Sequence, residues 1–450
     1  MMVKRSQDDF PAGRKPSPVS AKDTPVSSPA CIRFPISLWP FPVNIIAVPY
    51  RHGLLKMDFD SLAKEQSDRV FQVWIQNLLR NSPEDLAGRL ASRHCSGTPV
   101  TASLLPNGAF NVCYRVTYEN GHRFLVRFTA LGRVIACNEK VEDEVSIMNY
   151  VAQHTTIPVP KVLGHGQCVV GPYIVMFFTE GRALSGYLRD SSQKTITLNS
   201  KVSMSILRRA YFSMAEVLLG LSKPEFPYIG AIRQDESGGW TVPKRPLTFN
   251  MNRLAQFSNI PHTHCDGPFK LYCDDIHPEN VLVDESRLVV SGVVDWELTY
   301  AAPAEFSYAA PWWLLLERPE DWELDLEQFL VRFLPRFRTF LEVLEECEAR
   351  KIEGKSLSES QRISPIMESS LKTGLFWISL ASRRSSMFDE IYWNYVDQRF
   401  FGPLIAIEDR LCYLSAEERV EIDAFIEKKM QQASEGNLVS HYSVDELVDL

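Results

Sequence analysis

Three side chains within residues 270–297 have the types and spacing of a metal site beside an acid that can take a proton. Asp275 is followed five residues later by Asn280, and a second acid, Asp295, lies fifteen residues further on. Carboxylate and amide oxygens suit Mg²⁺, and a separate carboxylate can orient a hydroxyl nucleophile. We therefore predict that Asn280 and Asp295 bind a divalent cation close to Asp275.

A short hairpin is expected to position these side chains. Two apolar triplets, residues 281–283 and 288–290, flank a polar turn and predict two strands, the second of which continues to residue 294. A hairpin of this length brings Asn280 and Asp295 close together, with the first acid on the preceding loop. The alternative is an ordinary acidic turn at the surface.

The same residues carry a resemblance to a known family. The run DIHPEN at residues 275–280, followed by DWE at residues 295–297, resembles the catalytic and metal motifs of aminoglycoside phosphotransferase-like kinases, the aminoglycoside phosphotransferase and choline kinase type. The similarity is greatest to the fungal branch and covers about residues 103–403. It implies an α+β, two-lobed, protein-kinase-like fold, with a small antiparallel-sheet N-lobe, a larger, mainly helical C-lobe and ATP between them.

The resemblance implies an ATP- and Mg²⁺-dependent phosphotransferase in which Asp275 is catalytic and Asn280 and Asp295 hold the metal. The sequence departs from the family pattern just before the catalytic acid, where Cys273 and Asp274 replace the usual histidine and glycine. Because two aspartates are adjacent, either is a candidate for the catalytic acid. We choose Asp275, which keeps the five-residue step to the metal-binding amide.

The resemblance also implies where the phosphates of ATP bind. Asn107, Gly108 and Asn111 lie in the loop expected to cover them, although without the rest of the pattern this loop would be a plain β-turn. Arg127 occupies the position where kinases place a phosphate-binding lysine, and its guanidinium offers a fork of donors for phosphate. A charge in the middle of an apolar strand needs a partner, a ligand or a route to water.

A helix at residues 138–153 is predicted next, with Val141, Val145 and Met148 on its apolar face. Glu144 lies beside that face and is our candidate for the acid that pairs with the strand arginine. Glu142 is the competing acid, and it lies on a different side of the helix.

The apolar strand at residues 171–178 is the expected link between the lobes. Met176 and Phe178 are predicted to line the adenine ring of ATP, while backbone groups meet its edge. The sequence does not separate this role from that of an ordinary core strand, because both require the same residue types.

Composition limits the other possibilities. The chain has 450 residues and a net charge of −8, which argues against general nucleic-acid binding. Its nine cysteines include no CxxC pair, which favours reduced thiols and a cytoplasmic location. No apolar run reaches the ~18–20 residues of a membrane helix. The run HTHCD at residues 262–266 suggests zinc, but no second cluster follows at normal spacing, and a polar loop is preferred.

The chain is expected to divide into four parts. Residues 1–50 form a disordered or extended tail, residues 51–180 contain N-terminal helices and the ATP-binding N-lobe, residues 181–435 form the helical C-lobe, and residues 436–450 form a polar tail. Further helices are predicted at residues 70–79, from residue 82, and at 202–221, 324–350, 364–382 and 417–434.

Three functions remain open at this stage. The first is a kinase acting on a hydroxyl group of a small molecule, with a nucleotide and that acceptor as its partners. The second is a pseudokinase that binds nucleotide without turnover, and the third is a kinase acting on protein side chains. A polycationic aminoglycoside would need an acidic acceptor site, which surface acids would have to form; the candidates are Glu305, Glu317, Glu320 and Asp321.

Overall fold

A computed structural model describes residues 59–106, 108–134, 136–248, 269–285, 287–322, 326–384, 387–406 and 408–435. The predicted tails at residues 1–50 and 436–450, Asn107, and the run at residues 262–266 lie outside these ranges. The described residues belong to one compact unit, Leu54–Leu450.

An antiparallel sheet of five strands forms the first part of this unit. Its strands are β1 (Pro99–Leu104), β2 (Asn111–Tyr118), β3 (Arg123–Thr129), β4 (Val162–Cys168) and β5 (Gly171–Phe177). They lie in the order β1-β2-β3-β5-β4. In β2 and β3, apolar residues alternate and bury one face. Gly121, with φ of +81°, closes the hairpin predicted between them.

Helices cover this sheet and complete its core. They are α1 (Phe59–Arg80), α2 (Pro83–Ser92) and α3 (Cys137–His154). Trp74 of α1 is fully buried, and its indole N–H donates to the carbonyl of Val170 at 2.7 Å. The helix predicted from residue 82 is α2; Ser82 precedes it with a φ of +49°, and its side chain makes no capping hydrogen bond.

Short strands and a hairpin form the sheets of the second part. The strands are β6 (Arg182–Ala183), β7 (Glu225–Phe226), β8 (Ala231–Gln234), β9 (Trp240–Lys244), β10 (Phe269–Cys273), β11 (Val281–Val283), β12 (Val290–Val293) and β13 (Thr299–Pro303). They group as β13-β10-β7, β12-β11-β6 and β8-β9. The predicted strand at residues 288–290 begins later than expected, because Leu288 has a φ of +56° and belongs to the turn.

Helices make up most of the second part. They are α4 (Met204–Ser222), α5 (Ala304–Tyr308), α6 (Leu326–Glu353), α7 (Ser364–Thr373), α8 (Leu375–Arg383), α9 (Phe388–Ile391), α10 (Gln398–Phe401), α11 (Glu408–Leu411) and α12 (Ala416–Glu435), with a π-helical turn at Tyr392–Asp397. Phe329, Phe333 and Phe340 place one face of α6 in the core. The single helix predicted at residues 364–382 is instead α7 and α8, because Gly374 between them has a φ of +87°.

The predicted fold class is confirmed, since an antiparallel sheet precedes a mainly helical part. None of the helices in the described ranges is long and apolar enough to cross a membrane.

The β8–β9 hairpin packs on the outer face of α3. Arg233 in β8 lies 2.6 Å from Asp143, and Lys244 in β9 lies 3.1 Å from the same carboxylate. Trp240 packs edge-on against Tyr150, with ring centroids 5.1 Å apart. The β8–β9 hairpin of the second part therefore contacts α3 through Asp143 and Tyr150.

Candidate active site

The predicted catalytic and metal residues lie next to the ends of three strands that follow one another along the chain, β10, β11 and β12. Asp275 follows β10, Asn280 precedes β11 and Asp295 follows β12. The Asn280 amide donates to the backbone oxygen of Asp275 at 2.9 Å and to its carboxylate at 3.3 Å. The N–H of Val294 donates to the carbonyl of Asn280 at 2.9 Å, so Asp295 comes next in the chain after that contact. The hairpin brings all three predicted residues to one place.

The environment of Asp275 favours its ionised form. Desolvation alone would raise the pKa of this carboxyl. A hydrogen bond from His277 and the positive charges of His277, Arg318 and Arg384 outweigh that effect, and the pKa of Asp275 lies below its ordinary value. Its side chain keeps 21% of its surface exposed. Asp275 is therefore an accessible carboxylate at neutral pH, which suits a group that accepts a hydrogen bond from a hydroxyl.

The adjacent Asp274 has a different environment. It is 4% exposed, and its carboxylate lies 3.6 Å from the guanidinium of Arg383 in α8. Arg383 in turn lies over the rings of Tyr272 and Phe306. Asp274 is thus held inside the second part of the fold, and its burial favours the choice of Asp275 as the candidate catalytic acid.

Asp295 lies among negative charges that a cation would relieve. Desolvation and the neighbouring Glu297 raise the pKa of Asp295 well above its ordinary value, and Arg127 offsets only part of this effect. No group of three His, Cys, Asp or Glu side chains in the described ranges is placed to hold a metal ion. Mg²⁺ needs few protein ligands because it also binds water and phosphate oxygens. The oxygens of Asn280 and Asp295, beside an excess of carboxylates, fit such an ion.

Arg127 connects the sheet to this acid. It is buried in β3 and forms an ion pair with Glu144 of α3, as the sequence predicted. Its second contact was not anticipated: Nη1 lies 3.3 Å from Oδ1 of Asp295. The competing acid Glu142 is 55% exposed and pairs with Arg233. The guanidinium therefore joins β3, α3 and the segment after β12.

A buried lysine that the sequence analysis missed lies beside this pair. Lys140 of α3 is 2% exposed, and its ammonium contacts Glu297, Asn111 Oδ1 at 3.0 Å and Glu144 at 3.8 Å. The amide of Asn111 donates to Glu297 at 2.8 Å. The available signal was the four-residue step from Lys140 to Glu144, which places both on one face of a helix.

The predicted phosphate loop has free space around its glycine. Gly108 is exposed, and nothing lies within 4 Å of the position that a Cβ would take there. Packing within the described residues therefore does not require glycine. The side chain of Asn111 points away from this role, because both ends of its amide are engaged by Glu297 and Lys140. Asn107 lies outside the described residues.

The predicted adenine-binding residues lie at the end of β5. Met176 is 3% exposed, pairs with Leu125 of β3 and belongs to the main core. Phe178 is half-buried, and the guanidinium of Arg115 lies 5.7 Å from its ring centre. Gly181, with φ of +145°, follows, and a Cβ there would lie 2.6 Å from Ser291 Oγ. A side chain at this point would push the connection between the two parts of the fold away from β12.

Two sequence hypotheses about neighbouring residues are weakened by the packing. Glu317, one of the acids considered for a polycationic acceptor, is buried and forms two 2.7 Å hydrogen bonds with Arg332. A kinase acting on protein side chains would need a peptide-binding segment after Asp295, but residues 301–305 form the end of β13 and the start of α5. Neither feature presents a free acidic wall or a peptide-binding segment.

A protein-family model matches this chain. The model described as "Phosphotransferase enzyme family" (APH) matches residues 101–336, which include β3, α3 and the whole segment from β10 to β13. No match was found among curated proteins.

Several solved structures are similar to this chain. A putative aminoglycoside phosphotransferase from Ralstonia eutropha is 13% identical, covers 69% of this chain and 97% of its own, and has a TM-score of 0.35. A macrolide 2′-phosphotransferase from Brachybacterium faecium is 14% identical, with coverages of 72% and 100% and a TM-score of 0.35. A putative fructosamine-3-kinase from Haemophilus somnus is 13% identical, with coverages of 72% and 94% and a TM-score of 0.37.

Proposed function

This chain belongs to the phosphotransferase enzyme family, and on that premise we propose that it is an ATP- and Mg²⁺-dependent kinase acting on a hydroxyl group of a small molecule. The observation that supports this most is the meeting of separate segments at one place. Asn280 hydrogen-bonds Asp275, and Arg127 reaches from the sheet to Asp295. Phosphoryl transfer depends mainly on positioning and on stabilising charge, which such a group of side chains can do.

Asp275 is the proposed catalytic residue. It accepts a hydrogen bond from the acceptor hydroxyl and takes its proton as the hydroxyl oxygen bonds to the γ-phosphorus of ATP and ADP leaves. The lowered pKa of Asp275 keeps it ionised and ready to accept. Asn280 orients it through the hydrogen bond that already joins the two side chains. General-base contributions of this kind are worth roughly 10²- to 10⁴-fold in rate.

Asn280 and Asp295 would hold Mg²⁺, which when bound neutralises charge on the phosphate oxygens. Arg127, paired with Glu144, would bind the α- and β-phosphates through its planar fork of donors. The loop containing Asn107, Gly108 and Asn111 would cover the phosphates with its backbone, and Met176 and Phe178 would pack against the adenine ring.

The acceptor belongs to this proposal only as a class. The related structures are named for aminoglycoside, macrolide and fructosamine phosphorylation. The ion pair between Glu317 and Arg332 removes one of the acids that a polycation would need. A sugar, an amino alcohol or a secondary metabolite fits the chemistry of Asp275 equally well. Membership of the fungal branch, based on the motifs quoted above, is part of the same proposal.

The domain division and the location are also proposals. We assign ATP binding to residues 51–180, catalysis and metal binding to residues 181–435, and a cytoplasmic location to the protein. The described cysteines are all free thiols, which is consistent with a reducing compartment.

One contact favours the second candidate, a pseudokinase that binds nucleotide without turnover. Arg127 already places a positive charge 3.3 Å from the metal-binding oxygen of Asp295. If that contact persisted with ATP present, it would compete with a divalent cation for the same carboxylate.

Turnover by the purified full-length protein separates these functions. ADP release would be measured with ATP, Mg²⁺ and a panel of sugars, amino alcohols, aminoglycosides and aromatic alcohols, beside Asp275→Asn. A kinase releases ADP with at least one acceptor, and the variant loses about 10²- to 10⁴-fold of that rate. Nucleotide binding with no ADP release across the panel would favour the pseudokinase. Equal turnover by the variant would defeat the catalytic role of Asp275.

A further inference from the structure

Glu297 is a carboxylate that the proposed mechanism does not use. It lies two residues after Asp295 and is 2% exposed, so its carboxyl group has almost no access to water. A buried carboxylate of this kind is costly unless a cation and hydrogen-bond donors satisfy it. Its partners are therefore part of how the segment after β12 is held.

Two residues from the first part of the fold satisfy Glu297. Lys140 of α3 forms an ion pair with Oε2, and Asn111 of β2 donates to the same oxygen at 2.8 Å. Lys140 also donates to Asn111 Oδ1 at 3.0 Å and lies 3.8 Å from Glu144. Glu297 and Asn111 thus engage two of the three donors of the ammonium, and Glu144 adds a longer ion pair. Lys140 is thus enclosed and engaged, which makes it unsuited to contact phosphate directly.

The segment that carries Asp295 needs such an anchor. Asp295 and Leu298 have φ of +63° and +58°, in the left-handed region that non-glycine residues adopt only at an energetic cost. Trp296 fixes one side of this turn, since it is fully buried and its indole N–H donates to Val293 at 2.8 Å. Glu297 is the corresponding attachment to α3 and β2.

The charges around Asp295 also indicate a role for Lys140. Arg127 and Lys140 are the buried cations here, and they face the carboxylates of Glu144, Asp295 and Glu297. Without the positive charge of Lys140, the carboxylate of Glu297 would repel that of Asp295, two residues earlier in the chain. It would also compete with Asp295 for the guanidinium of Arg127.

We propose that Lys140 is a positioning residue for the metal site: by neutralising and holding Glu297, it sets the orientation of Asp295. The inference rests on the proposed function, because it assigns Lys140 a role in the Mg²⁺-dependent binding of nucleotide. Through this contact, the orientation of Asp295, the acid proposed to bind the metal, depends on the position of α3.

The test measures binding, without turnover. The melting temperature of the full-length protein is followed with AMP-PNP while Mg²⁺ is titrated, and the midpoint of the stabilisation is recorded. Lys140→Met should raise this midpoint by about 10- to 100-fold, the effect typical of losing a residue that orients a metal ligand. Lys201→Met, at an exposed position, is the matched control and should leave the midpoint unchanged.

A double-mutant cycle separates positioning from a purely structural role. In the Glu297→Gln background the charge to be neutralised is gone, so Lys140→Met should shift the Mg²⁺ midpoint no further. This comparison remains decisive even if the single variant Lys140→Met does not fold. A further shift in that background would overturn the route through Glu297.

The remaining outcomes separate the inference from the proposed function. A lower melting temperature for Lys140→Met with an unchanged Mg²⁺ midpoint would overturn the inference and leave a structural ion pair. A wild-type protein that shows no Mg²⁺-dependent stabilisation by AMP-PNP would instead overturn the proposed function, and the inference with it.

Discussion

Arg127 and Asp295 lie in direct contact, with Nη1 of the arginine 3.3 Å from Oδ1 of the aspartate, although 167 residues separate them in the chain. The same guanidinium forms an ion pair with Glu144. A single buried cation therefore satisfies the acid of α3 and the acid proposed to bind metal. Removing it should affect both the stability of the fold and the binding of nucleotide.

Arg127→Met should lower the free energy of unfolding by roughly 3–5 kcal/mol, because Glu144 stays buried without its closest partner. Urea denaturation measures this change. Arg127→Lys keeps the charge but loses the planar fork, so it should destabilise less while still weakening AMP-PNP binding. The control is Arg123→Met on the same strand, where the exposed pair with Glu180 is worth about 0–1 kcal/mol. Equal losses for Arg127→Met and Arg123→Met would contradict the importance of the buried pair.

Asp275→Asn should mainly lose turnover, whereas Asp274→Asn should mainly lose stability. Asp275 is accessible, so its variant should fold with near wild-type stability, retain AMP-PNP binding and lose about 10²- to 10⁴-fold in turnover. Asp274 is buried beside Arg383, so its variant should lose roughly 1–3 kcal/mol of stability. Denaturation measures the loss of stability in each variant, and nucleotide titration measures its AMP-PNP binding. The reverse pattern would move the catalytic role to Asp274.

Asp295→Asn should abolish the Mg²⁺ dependence of nucleotide binding without destabilising the protein. Desolvation and Glu297 already disfavour the ionised carboxylate. A neutral amide removes that repulsion, and we expect the free energy of unfolding to stay level or rise by about 1 kcal/mol. Thermal unfolding, with and without Mg²⁺ and AMP-PNP, measures both effects. Unchanged Mg²⁺ dependence would rule out Asp295 as a ligand.

Asp143 should make the β8–β9 hairpin contact depend on pH. Desolvation raises the pKa of this carboxyl above its ordinary value, although Arg233 and Lys244 oppose the shift. An acid whose pKa is raised by folding favours the folded state while it is protonated. Its contribution to stability declines as the pH rises from the unfolded pKa, ~4, through the raised value.

The comparison is with Asp143→Asn, which cannot ionise. The stability of the wild type relative to this variant should fall as the pH rises through that window, at up to about 1.4 kcal/mol for each unit of pKa shift. Denaturation at a series of pH values measures the difference. A relative stability that rises with pH would mean that the ion pairs outweigh desolvation.

Local sequence patterns were sufficient to predict the secondary-structure elements that carry the site. The apolar triplets around a polar turn predicted the hairpin between Asn280 and Asp295, because backbone pairing over a few residues depends mainly on nearby side chains. The helix containing Glu144 followed from its apolar spacing. Gly374 is also a local signal, since glycine next to a helical pattern commonly ends the helix.

The missed residues share one physical reason. A lysine in an amphipathic helix is usually solvated. The four-residue step to Glu144 places Lys140 on the same face as that acid, but it does not mark the lysine as buried. Its burial depends on Glu297 and Asn111, which come from distant segments. The contact of Arg127 with Asp295 is of the same kind.

The sequence by itself determined which chemistry is possible, because the types and spacing of Asp275, Asn280 and Asp295 are local properties of one segment. Only the tertiary structure decided which charges balance which. Lys140 and Arg127 come from α3 and β3, and they meet the acids after β12 only when the two parts of the fold pack together. Electrostatic interaction depends on separation in space and on burial, and the order of residues along the chain specifies neither.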